Sequence, residues 1–362
     1  MAIGTGGIRE LLEGGVHDRV FPGAVWAVGD AAGTEAMGTA GLPDPARPGA
    51  PMRGDTLFDV ASLTKILAVW PTVGSLWEAG RLPLDEPLGG YWPDVAGYPL
   101  GQVTARHLLT HTAGVPLHAR LKERYGTDPA AIRVGVLREA LHRPPGEAVE
   151  YTDRAALILG HLAEHLCGEA LDRLVTARIW EPLGLEATRF GPLPAGLAAR
   201  CAPTERDQDT GVRFQGTVHD PSARLLGGVC GIAGVFSTAE DLGRFLRHLL
   251  DPATAPARVG FGAAWTAESL TVQTGRLEPS RGLFWHPAPG TDPADDIWAH
   301  YGFTGTAIWI APSRGRWATL LTNKVYYSRD RQPIADLRNA FRRLVFGPPA
   351  PGRRPGAVPP KS

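Results

Sequence analysis

The sequence predicts an α+β fold. β-leaning stretches lie towards both ends of the chain, residues between about 82 and 219 read as helices broken by Pro and Gly pairs, and amphipathic helical patterns open and close the chain. One domain over residues 1–346 is expected. Its sheet-bearing part covers about 1–81 and 220–346, and its helical part about 82–219.

Taken in order, residues 8–20 read as a helix, and residues 24–28 and 35–40 as a strand pair separated by a turn containing Gly29, Asp30 and Gly33. From Ser62 the apolar residues Ile66, Trp70, Val73 and Trp77 recur at helical spacing, with Pro71 expected to kink that helix. Residues 105–109, 130–142 and 155–166 read as helices of the insertion. Residues 283–286, 306–310 and 317–322 read as strands, the last two joined by a turn over 312–316. Residues 333–346 form a final amphipathic helix, and the proline-rich residues 347–362 are expected to be a disordered tail.

A chain of 362 residues, 43% apolar and with ten Trp, can bury a large core. Its 37 basic residues balance 37 acidic ones, with no basic run of the kind that tracks a phosphate backbone or an anionic membrane. Neither nucleic acid nor a membrane is an expected partner. Cys167, Cys201 and Cys230 are too few and too scattered for a disulfide framework or a metal site, and read as small core residues. The N-terminus lacks the basic and apolar regions of an export signal, and no apolar run is long enough for a membrane span. If the start is the natural one, a cytoplasmic location is expected.

The chemistry is sharpest at Asp59-Val60-Ala61-Ser62-Leu63-Thr64-Lys65, an S-x-x-K at the start of a helical pattern. Residues three apart on a helix share a face, so the Lys65 ammonium can reach the Ser62 hydroxyl. At a helix N-terminus the Ser62 N–H is also free to meet a developing oxyanion. The bland alternative is a capping serine followed by a solvated lysine.

Two further motifs follow in order. Tyr151-Thr152-Asp153 precedes a helix, and His300-Tyr301-Gly302 is followed by Phe303-Thr304-Gly305-Thr306 and an apolar strand. With the flanking His107–Gly114, Glu181–Leu185 and Gly227–Val229 stretches, the chain resembles the serine beta-lactamase and penicillin-binding-protein superfamily, in its class C beta-lactamase-like esterase branch. Tyr151-Thr152-Asp153 resembles its Y-x-N segment and His300-Tyr301-Gly302 its K-T-G strand. The resemblance spans nearly all of residues 21–346. It implies a beta-lactamase/transpeptidase-like fold, with an antiparallel sheet, flanking helices and an inserted helical subdomain that together enclose the active-site cleft.

It also implies roles. Ser62 is the nucleophile, and Lys65 and Tyr151 share the removal of its proton, the ammonium favouring loss of the phenolic proton. Tyr151 then protonates the leaving group, the N–H groups of Ser62 and Phe303 hold the oxyanion, and Gly302 admits the substrate close to the strand. Two departures bear on the substrate. His300 in place of lysine removes a permanent cation and weakens carboxylate recognition; Asp153 in place of asparagine can still accept from Lys65 but offers no amide donor. Both lean towards esters.

Other residues compete for attention. His161-Leu162-Ala163-Glu164-His165 matches a zinc pattern, but no third ligand is evident and an ordinary helix face is the simpler reading. His111 and His219 read as structural histidines, Asp220 and Arg224 as a structural ion pair, and Cys230 as a buried thiol. There is no G-x-S-x-G elbow, P-loop or dinucleotide fingerprint, so no cofactor or metal is implied. The expectation is a carboxylesterase acting through an acyl-enzyme on a small-molecule ester or amide, with weak beta-lactam turnover alongside. A transacylase or D-amino-acid peptidase working on a natural product is the nearest alternative, and a non-turnover penicillin-binding sensor is the alternative of another class.

Overall fold

The computed structural model describes residues 4–118 and 120–347. Strand β1 (Gly23–Gly29) is buried on both faces: Ala24, Trp26 and Val28 enter one core, Val25 and Ala27 the other. This period of two is what a sheet covered on both sides requires. A turn at Asp30, whose carboxylate accepts the N–H groups of Ala32 and Gly33, returns the chain as β2 (Thr34–Gly41). On its other side β1 pairs with β9 (Arg316–Thr322), Ala24 lying opposite Thr322. Beyond β9 come β8 (Ala307–Ala311), β7 (Trp298–Tyr301) and the short β6 (His286–Pro287), giving the antiparallel order β2-β1-β9-β8-β7-β6.

The terminal helices Thr5–His17 and Gln332–Phe346 cover one face, where Ile8, Leu12, Ile334 and Phe341 pack with Trp26 and Trp309. Helix Ala239–Leu250 covers the other, inserting Leu242, Phe245 and Leu246 beside Val25 and Trp317. Between β3 (Phe58–Asp59) and β5 (Val235–Ser237) the chain is mainly helical, including Ala105–Leu109, Pro129–Leu137 and Asp153–Cys167. A two-residue β4 (Arg189–Phe190) joins β3 and β5 in a second sheet of order β3-β5-β4.

The segment after Ser62 is not one kinked α-helix. A 3₁₀ turn, Ala61–Leu63, leads into a π turn, Lys65–Val69, and α-helical geometry begins at Trp70. Pro71 has no N–H to give the Leu67 carbonyl four residues earlier, and the Trp180 indole donates to that oxygen at 2.9 Å instead. The turn thus accommodates the proline without leaving a buried acceptor unpaired.

Three other expectations change. Residues 283–286 do not form a strand, because Phe284 at φ 62° turns the chain to give its N–H to Leu109 O at 2.7 Å, and only His286–Pro287 pair with β7. The helix expected over 130–142 stops at Leu137, and the His142 N–H is drawn instead to Gly114 O at 2.7 Å. Asp220 and Arg224 do not pair. Asp220 caps helix Pro221–Leu225 through the Ala223 N–H, and Arg224 donates to the carbonyls of Val218 and His219. The expected tail lies, after Gly347, outside the described residues.

Candidate active site

Ser62 stands at the junction of the two sheets, on a turn tied down from three sides. Asp59 Oδ1 accepts the Ala61 N–H at 2.8 Å and Oδ2 the His219 N–H at 2.7 Å, while Ala61 is held at φ +48°. A non-glycine residue in that conformation persists only where its surroundings impose it. Burial pushes the Asp59 carboxyl above the usual range, against the pull of those two amides.

Lys65 is fully buried, and its Nζ is saturated: it donates to Ser62 Oγ at 3.1 Å, Asp153 Oδ1 at 2.8 Å and Ile232 O at 2.9 Å. Burial by itself disfavours the ammonium, but Asp153 and then Tyr151 outweigh it and hold the pKa above its ordinary value. Lys65 is therefore a fixed cation at neutral pH. Tyr151 OH lies 3.1 Å from Ser62 Oγ, with Lys65 Nζ 5.4 Å from its ring centroid. The next residues place it: Thr152 caps helix Asp153–Cys167 through the Arg154 N–H and anchors to Pro116 O, while the His111 ring packs on the phenol at 4.6 Å.

Strand β7 brings the third motif to the same place. Thr304 Oγ1 donates to Asp59 O at 2.7 Å and Thr306 Oγ1 to Val60 O at 3.0 Å, stitching the Gly302–Thr306 turn to the residues just before Ser62. Gly302 is needed for that approach: a Cβ there would lie 2.0 Å from Thr306 Oγ1 and 2.4 Å from Val60 O. The Gly302 and Gly305 amides close the turn, and no backbone acceptor among the described residues takes the Phe303 N–H. His300 is buried and gives its Nδ1 hydrogen to Phe284 O at 2.7 Å, leaving Nε2 as a bare acceptor. Burial, then His286 and Lys65, hold its pKa well below the usual histidine value. The ring is neutral.

The site holds more than these motifs. The Arg281 side chain has no hydrogen-bond or ion-pair partner among the described residues, its Nε is buried, and burial lowers its pKa. Its charge is felt by Tyr151, His111, His286 and His300. His111 accepts the Thr152 N–H on Nδ1 at 3.5 Å, which puts its hydrogen on an unpartnered Nε2. The electrostatic surroundings of Ser62, Lys65 and Tyr151 thus include a guanidinium with no side-chain partner among the described residues, one imidazole donor and one imidazole acceptor. Such an arrangement can bind a polarised carbonyl compound and take its acyl group onto Ser62.

The family model that matches is described as Beta-lactamase and covers residues 8–341. The chain belongs to the beta-lactamase family. It is a serine hydrolase of that type. A provisionally named D-alanyl-D-alanine carboxypeptidase of Escherichia coli K12 is 29% identical over 318 residues, covering 78% of this chain and 71% of the relative. Simvastatin synthase from Aspergillus terreus superposes with a TM-score of 0.74 at 22% identity, over 96% of this chain and 98% of the other. EstCE1, a hydrolase with promiscuous acyltransferase activity, does so with a TM-score of 0.71 at 18% identity, over 92% and 97%. These structures share the beta-lactamase fold, with its antiparallel sheet and helices.

Within this beta-lactamase frame the competing residues have other positions. His161 pairs with Glu164 at 3.2 Å and His165 stacks on Trp92, and among the described residues no group of three or more His, Cys, Asp or Glu could hold a metal. His219 bonds Glu205 at 2.8 Å and stacks on Phe303. Cys201 and Cys230 are buried, and burial pushes both thiols up to about 12; Cys167 is half-buried. Among the described residues no helix is long and apolar enough to cross a membrane.

Proposed function

We propose that the protein is a carboxylesterase that forms an acyl-enzyme on Ser62. The observation that carries this reading is the convergence of Lys65 Nζ and Tyr151 OH on Ser62 Oγ, each at 3.1 Å. With Lys65 fixed as a cation, the proton traffic falls to Tyr151. As Oγ bonds the acyl carbon the Ser62 proton moves to the Tyr151 oxygen, and the phenol's own proton passes to the departing alkoxide as the ester bond breaks. Water reverses the sequence to free the acid. In this reading the N–H groups of Ser62 and Phe303 hold the intermediate's oxyanion, a contribution of about 3–4 kcal/mol per donor in comparable sites. The neutral His300 supports ester substrates, since it presents no charge to a carboxylate.

A second reading rests on Arg281. Its unpaired guanidinium supports substrates with a free carboxylate, as a peptidase acting on a C-terminal D-amino acid would require. One assay separates the two. Purified wild-type and Ser62→Ala proteins are compared on p-nitrophenyl acetate, butyrate and octanoate, on nitrocefin, and on a peptide ending in D-Ala-D-Ala. Ester turnover that disappears in Ser62→Ala supports the esterase. Release of D-alanine with little ester turnover supports the peptidase, and ester turnover unchanged in Ser62→Ala removes Ser62 from the reaction.

A further inference from the structure

Phe303 is ringed by cations. Lys324 Nζ lies 5.1 Å from its ring centroid, and the guanidinium carbons of Arg329 and Arg331 lie at 5.2 and 5.0 Å. A fourth, Arg338, is buried about two turns further on, donating to Gly302 O and Thr306 O at 2.8 and 2.7 Å. Against them stand two carboxylates, both already engaged. Glu205 is shared between His219 and Arg329, and Asp330 accepts the Gln332 N–H at the start of helix Gln332–Phe346. Lys324 gives its proton only to the Asp330 carbonyl, at 2.8 Å, and no hydrogen bond or ion pair among the described residues engages the Arg331 side chain.

Three of these charges face the Phe303 ring and the fourth, Arg338, lies over Tyr301 at 4.6 Å yet still acts on Lys324; like charges so close repel each other, and the cost shows at Lys324. Burial first, then Arg338, Arg331 and Arg329, push its pKa down to about 8. An aromatic face recovers only part of such a cost. An anion would recover more. The excess of about two positive charges matches a dianion better than a single carboxylate, and helix Gln332–Phe346 adds the positive end of its dipole on the same side.

We propose that this cluster binds a phosphate group carried by the substrate, so that the protein acts on esters bearing a phosphate monoester. Arg329 and Arg331, both exposed and flexible in reach, supply the guanidinium forks, and Lys324 supplies a point charge from beneath. Phe303 also carries the N–H assigned to the oxyanion, so the cation cluster and the assigned oxyanion site share one residue. The inference deepens the hydrolase reading and is tested without turnover.

Isothermal titration of the Ser62→Ala protein with phenyl phosphate and with benzoate reads the site directly. Phenyl phosphate is expected to bind at least ten-fold more tightly than benzoate. Arg331→Glu and Arg329→Glu, added singly to Ser62→Ala, are each expected to lose at least ten-fold in phenyl phosphate affinity, and Arg331→Lys to keep most of it. Both side chains are exposed, so charge reversal leaves the core packing alone, and an unchanged melting transition checks this. Equal binding of the two ligands, or phenyl phosphate affinity unmoved in both charge-reversed proteins, overturns the proposal. A loss that appears only in Arg281→Gln overturns the placement. A protein that binds phenyl phosphate through Arg331 yet hydrolyses no ester would sink the esterase reading and leave the phosphate site standing.

Discussion

The Lys65 ammonium, with no exposed surface, lies 2.8 Å from the half-exposed Asp153 carboxylate, so a charge that burial alone would suppress is kept. Because the folded pKa is above that of the unfolded chain, this stabilisation is complete below the ordinary lysine value and is lost only as pH rises through the raised one. Asp153→Ala leaves the ammonium with Ser62 Oγ and Ile232 O alone. Breaking a buried pair costs about 3–5 kcal/mol, and the partial wetting of Asp153 reduces this to about 2 kcal/mol. Thermal melts at pH 7 and pH 10 should show the variant penalised more at pH 7, where the stranded charge must be kept. Equal penalties at both would contradict the assignment.

Tyr151→Phe keeps the ring against His111 and removes only the hydroxyl 3.1 Å from Ser62 Oγ. The expected result is a fall in kcat for p-nitrophenyl butyrate of about 10²–10⁴-fold with little change in melting temperature. A fall of less than ten-fold would take proton transfer away from this residue.

His111, His286 and His300 are all held below the ordinary histidine pKa, mainly by burial, His286 down to about 3. The unfolded chain binds protons near pH 6.5 that the folded one refuses. Stability is therefore full above pH 6.5 and lost as pH falls below it, by up to about 1.4 kcal/mol per pH unit for each such ring. Denaturant titrations between pH 7 and pH 5 should show this slope, and His300→Gln should make it shallower. The same neutrality predicts that kcat/KM shows no histidine limb near pH 6.5.

Gly302→Ala forces a methyl group against Thr306 Oγ1 and the Val60 carbonyl, the contacts that join β7 to the Ser62 turn. The turn must open, carrying the Phe303 N–H with it. Ester turnover should fall at least 10²-fold while far-ultraviolet dichroism is retained, since one displaced oxyanion donor accounts for about 10²–10³. Full activity in this variant would separate the Phe303 amide from the reaction.

Arg281→Gln tests the unpaired guanidinium. A charge-assisted hydrogen bond is worth about 1.5–3 kcal/mol. Steady-state kinetics should therefore show KM rising about 10–100-fold for a carboxylate-bearing ester and little for an uncharged one. Equal effects on both would mean that the side chain shapes the pocket without binding charge.

Much of the site could be read from the sequence because its chemistry is local. Ser62 and Lys65 share one turn, Tyr151 and Asp153 flank the start of one helix, and His300 and Gly302 lie on one strand. What escaped was tertiary. Arg281 belongs to no motif, and only the folded chain brings its charge to bear on Tyr151 and the buried histidines. Likewise Pro71 announced a disturbance but not its form, because the remedy is an indole more than a hundred residues away. The 283–286 stretch is apolar enough for a strand, yet the Leu109 carbonyl takes the Phe284 N–H first. The expected Asp220–Arg224 pair failed because backbone groups nearer to hand took both side chains.

The pairing of β1 with β9 also has a consequence for how the chain comes into being. Residue 24 finds its partner at residue 322, so the centre of the main sheet is joined from the two ends of the molecule. On the ribosome the N-terminal hairpin emerges early and must wait, one edge unpaired, while the helical insertion can gather its own short-range contacts. The turn at Ser62, stitched to residues 304 and 306, is completed only after about 240 further residues have been made. A chain truncated before β9 would thus carry Ser62, Lys65, Tyr151 and His300 and still lack the strand that joins β1 to β8.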